Sequence, residues 1–98
     1  MDYLDELKAK IRLLHGCEAT HFETVNVTEV FQDKIIWTGN VEVFYLAHHP
    51  KAKRCYAWGY PNDKQPKKLD VVTVLEIPPV VSPETAVKAA IVSQSLKH

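Results

Sequence analysis

Two cysteines, three glycines and one methionine are all that this 98-residue chain has of those types, and neither sign of charge prevails, twelve Lys and Arg facing twelve Asp and Glu. Each shortage excludes something. Two thiols cannot build the disulfide framework of a small secreted scaffold, so Cys17 and Cys55 are expected to be reduced and to serve as small apolar residues. The glycines are isolated, at Gly16, Gly39 and Gly59, which leaves no phosphate-cradling loop. No apolar run approaches the roughly 18 residues of a membrane-spanning helix, because Thr38, Thr73 and Glu76 interrupt the longest ones. The opening segment, Met1 to Leu7, carries acid where an export signal is basic. The expectation is a cytoplasmic protein without membrane contact.

What is present is a globular composition. With 46% hydrophobic and 24% charged residues the chain can bury a core in water, and its length suits one domain, residues 1–98. Leu4, Leu7, Ile11 and Leu14 recur at steps of three and four, which predicts an amphipathic helix over Asp2 to Leu14, capped by Asp2 and stopped by Gly16. The period then changes to two. Phe22 to Phe31 and Lys34 to Ala47 read as strands joined by a tight turn at Gln32-Asp33, with Gly39 marking a bend or bulge. Lys53 to Tyr60 is a third strand, with Cys55 and Ala57 on one parity and Tyr56, Trp58 and Tyr60 on the other. Val71 to Ile77, apolar on both parities, is a fourth, expected to be central or covered on both faces and ended by Pro78-Pro79. Ser82-Pro83-Glu84-Thr85 opens a second helix reaching about Leu96, with Ala86, Val87, Ala90 and Ile91 toward the sheet. The fold class is therefore α+β, helix-β-β-β-β-helix. Short connections dictate a four-stranded antiparallel meander, and both helices are expected on one sheet face.

Zero net charge hides an asymmetry. Residues 1–33 hold seven acids against Lys8, Lys10 and Arg12, a net −4, whereas residues 48–68 hold six bases against Asp63, a net +5. The basic third-strand region also carries the aromatic parity. Lys51, Lys53, Arg54, Lys67 and Lys68 beside Tyr56 and Trp58 supply the cations and rings with which single-stranded nucleic acid is bound, so this region, residues 48–68, is the candidate interface for a nucleic acid or an acidic protein. The alternative is a solvated loop beside structural aromatics. The element order resembles that of the double-stranded RNA-binding domain, helix, three strands, helix. That family grips phosphates with a basic first turn of its last helix, where this chain has Ser82-Pro83-Glu84-Thr85, and a fourth strand is present, so no binding residue is carried over.

His15, Cys17 and His21, and then His48, His49 and Cys55, are metal ligands by type, but their spacing matches no paired-ligand pattern, and no metal or cofactor is expected. Cys55 near His48 or His49 is the cheapest nucleophile pairing, yet its parity places it under a helix, and Glu23, Glu29 and Glu42 lie on strands expected to show one face to water. No catalytic residue is assigned. The reading is a small binding or assembly module acting through its sheet face or edge. Apolar residues on the remaining parities, Phe44, Leu46, Val72 and Val74 with Tyr56 and Trp58, exceed what a solvated face shows, which predicts a homodimer through that face or an edge.

Overall fold

A computed structural model, which describes residues 2–65 and 67–95, has the expected element order. Helix α1 spans Tyr3–His15; Asp2 accepts a hydrogen bond from the Asp5 N–H at 2.8 Å, and Gly16, at φ 69°, closes the far end by donating to the Arg12 carbonyl. Acids in the first turn and Arg12 and His15 in the last complement the helix dipole. Strands β1 (Ala19–Phe31) and β2 (Lys34–Leu46) form a long hairpin, and β3 (Arg54–Pro61) and β4 (Leu69–Leu75) a shorter one. Gln32 and Asp33 both take positive φ, 51° and 64°, the backbone of a two-residue turn that matches strand twist. Helix α2 spans Pro83–Ser95, and its start is a reciprocal cap: Ser82 Oγ accepts from the Thr85 N–H while Thr85 Oγ1 accepts from the Ser82 N–H. The expected end near Leu96 lies outside the described residues.

The strands form one open antiparallel sheet in the order β1-β2-β3-β4. The β1–β2 ladder runs from Ala19–Leu46 to Phe31–Lys34, with register shifts at His21/Glu23 and Glu29/Val30, so one bulge lies in β1 at Phe22 and the other in β2 at Ile36, and neither at Gly39. Gly39 instead leaves room for the Trp37 indole, which a Cβ there would approach to 3.2 Å. Between the hairpins only Glu42 to Tyr45 pair with Arg54 to Ala57. Beyond Glu42 and Ala57 the strands part, and the sheet forks.

The helices lie on opposite faces, which corrects the one-face expectation. Leu7 and Ile11 of α1 are fully buried against Phe44, Cys55 and Ala57, while Ala86 and Val87 of α2 share a separate cluster with Val43, Tyr56 and Trp58. The physical reason is complementarity of size. The Leu and Ile knobs of α1 fill the hollow over Cys55 and Ala57, whereas the alanines of α2 let it settle on the large rings of Tyr56 and Trp58. Strand β4 is covered on both sides, Val71 and Leu75 toward α1 and Val72 and Val74 toward α2, yet it is an edge strand rather than a central one. The apolar surplus that predicted a dimer through the sheet face is thus consumed inside the molecule: Phe44 and Leu46 go under α1, the others under α2.

Candidate ligand cavity between the hairpins

Where β2 and β3 part, the fork opens a cavity of about 640 Å³. Trp37, Thr38, Gly39, Asn40 and Glu42 of β2 form one side, Trp58, Gly59 and Tyr60 of β3 the other, with Val72 of β4 beside them. Val87, Ala90 and Ile91 of α2 close one end and Tyr3 of α1 reaches in at the other. The two indoles meet edge to face at 5.5 Å. Gly59, released from pairing with β2, donates its N–H to the Tyr3 hydroxyl at 2.8 Å, so a side chain from the helix replaces a missing strand partner. Burial, opposed by that hydrogen bond and reinforced by Glu42, raises the Tyr3 pKa, which keeps the phenol protonated.

Glu42 sits at the crotch of the fork, the last β2 residue paired to β3, and is only 4% exposed. Its Oε1 is held by His21 Nε2 at 2.9 Å and by the Thr24 hydroxyl, both from β1. The His21 ring leans edge-on against Phe44, which fixes its direction. Oε2 takes no hydrogen bond from the described residues. Glu42 and Glu29, on strands expected to show one face to water, are both buried.

The predicted interface is dispersed. Tyr56 is 1% exposed and its hydroxyl donates to Glu76; Trp58 is 5% exposed. Neither ring offers a face to a stacked base, because α2 lies over both, so their assignment as stacking residues is corrected. Trp58 survives as a cavity wall. Lys51 and Lys53 are exposed before β3, with Arg54 at its start, and Lys67 and Lys68 follow its far end. Eight residues of strand separate the two groups by roughly 20 to 25 Å, so they make two clusters rather than one patch. Arg54 is already engaged, 3.9 Å from Glu76 and over the Tyr45 ring.

The histidines and cysteines also scatter. His15 bonds Thr73, His49 Nδ1 accepts from the Lys51 and Ala52 N–H groups, His21 bonds Glu42, and Cys55 is fully buried under α1. Burial pushes the Cys55 thiol up to about 12, so it carries no thiolate at neutral pH. Among the described residues no three His, Cys, Asp or Glu side chains converge to hold a metal ion, and no helix is long and apolar enough to cross a membrane.

Sequence reasoning missed Tyr3, Trp37, Asn40 and Glu42 as a group. The available signal was Glu42 itself, a carboxylate set between Val41 and Val43 in the most apolar stretch of its strand. No known protein family, curated protein or solved structure matches the chain.

Proposed function

We propose that this protein is a small-molecule binding module whose site is the cavity between the hairpins. The observation that carries this is a buried carboxylate, with one oxygen unclaimed, lining an aromatic-walled cavity of about 640 Å³. That volume lies within the roughly 300 to 1,000 Å³ of ligand pockets, and mostly apolar walls with a few placed polar groups are how such pockets orient what they bind. The reading keeps the binding role expected from the sequence and moves it from the sheet face into the fork. In a fragment screen followed by NMR, hits should shift the indole N–H signals of both Trp37 and Trp58. Ala90→Phe, which fills the cavity from α2, should abolish those shifts in a folded protein. Hits that survive Ala90→Phe, or that disturb only the basic loops, would refute it.

A second reading, self-association, is favoured by the far end of the β1–β2 hairpin. Val30, Phe31, Ile35 and Ile36 are all exposed there, and among the described residues β1 has no strand partner on its outer side, nor does its sequence hold a Lys, Arg or Pro to guard it. A dimer through this edge should appear by light scattering at high micromolar concentration and vanish in Phe31→Lys/Ile35→Lys. A wild-type monomer under those conditions excludes it.

A further inference from the structure

Resting on the cavity reading, we infer that the ligand carries a protonated amine on an apolar or aromatic body, with Glu42 as its counter-charge on the α1 side of the fork and the Trp37 and Trp58 rings as walls for its body on the α2 side. Among the described residues lining the cavity, Glu42 is the only formally charged one, and no Lys or Arg faces it there. The cavity is therefore electrically one-sided. Both hydrogen bonds to the carboxylate from the described residues fall on Oε1, from His21 and Thr24. The second oxygen is not buried without a partner, so it stands open to an ammonium N–H in place of water.

The walls suit the body of such a ligand. Trp37 and Trp58 offer it aromatic surface, and Tyr3 and Tyr60 add two further rings at the rim. An anionic ligand meets the opposite situation, since it would place like charge beside Glu42 with no Lys or Arg among the described lining residues to offset it. Val87 and Ile91 give the remainder of the ligand an apolar surface.

The fork also explains the positioning of the carboxylate. Thr24 and His21 stand on β1 on either side of a register shift, which brings both side chains onto the one residue, Glu42, at the end of the β2–β3 pairing. Glu42 is thereby aimed by one hairpin at the space between two.

The test uses three probes of one shape: benzylamine, benzyl alcohol and phenylacetate. The chain has two tryptophans and both line the cavity, so intrinsic emission reports occupancy without a label. Benzylamine should bind at least about tenfold more tightly than benzyl alcohol, and phenylacetate more weakly than either. Glu42→Gln should erase the preference, amine and alcohol then binding within about twofold of each other, and Glu42→Asp, which keeps the charge, should retain it. The wild-type ratio stands independently of whether either variant folds. Equal binding of amine and alcohol, or a preference that survives Glu42→Gln, overturns the inference while leaving the cavity reading intact. If none of the three probes changes the emission or either indole N–H signal, both fall.

Discussion

His15 shows how burial outweighs a favourable dipole at the scale of one residue. The last turn of α1 is where a protonated histidine would be welcome, yet desolvation, with neighbouring His49 adding to it, lowers the His15 pKa from its ordinary 6.5. Its Nε2 bonds the Thr73 hydroxyl at 2.9 Å, tying α1 to β4. Because the folded-state pKa lies below the unfolded one, the unfolded chain binds the proton first. The stability this residue contributes is complete above about 6.5 and is lost as pH falls through the interval down to the folded value. In an NMR titration His15 should therefore have a midpoint below 6.5, and His15→Gln should flatten the pH dependence of unfolding in that interval. A midpoint at or above 6.5 contradicts the burial argument. Cys55 follows the same physics with the opposite sign, as expected of an acid, and should resist alkylation until the protein unfolds.

Among the elements, the helices carry most of what can be tested by deletion. Leu7→Ala removes a fully buried side chain from the α1 face and should cost about 2 to 5 kcal/mol in chemical denaturation. Ile91→Ala should cost less, because Ile91 is only partly buried and one side of it borders the cavity. Equal losses would mean that the cavity is closed in solution. The hairpin turn offers a gain instead: Gln32 and Asp33 adopt left-handed backbone that Asn-Gly accepts with less strain, so that double substitution should stabilise by about 0.5 to 1 kcal/mol. All six elements were legible because Leu4, Leu7, Ile11, the Gly16 stop, the Ser82-Pro83 start and the strand parities are local signals. Which face each helix takes was not. The sequence shows Cys55 and Ala57 as small and Tyr56 and Trp58 as large, but deciding which helix meets which set requires matching knobs to hollows across the sheet. The site was still less legible, since parity cannot reveal that β2 and β3 stop pairing after Glu42 and Ala57.

For the whole molecule, the charge asymmetry and the cavity belong to different places. The acids of the first third lie on and around α1 and β1, while the bases sit at the two ends of β3, outside the fork. Among the described residues, the cavity lining contains one carboxylate and no Lys or Arg. Binding in the fork should accordingly be insensitive to neutralising Lys53 or Lys68, and the exposed hairpin end should affect association without affecting ligand affinity. The central claim is that the space between the hairpins is a ligand site, and the most direct measurement is the set of intermolecular NOEs from a bound fragment. The account requires contacts from both sides of the fork at once, to the Trp37 and Trp58 indole protons and to the Ile91 methyls of α2. NOEs confined to Phe31 and Ile35 at the hairpin end, or to the loops bearing Lys51 and Lys67, would contradict it.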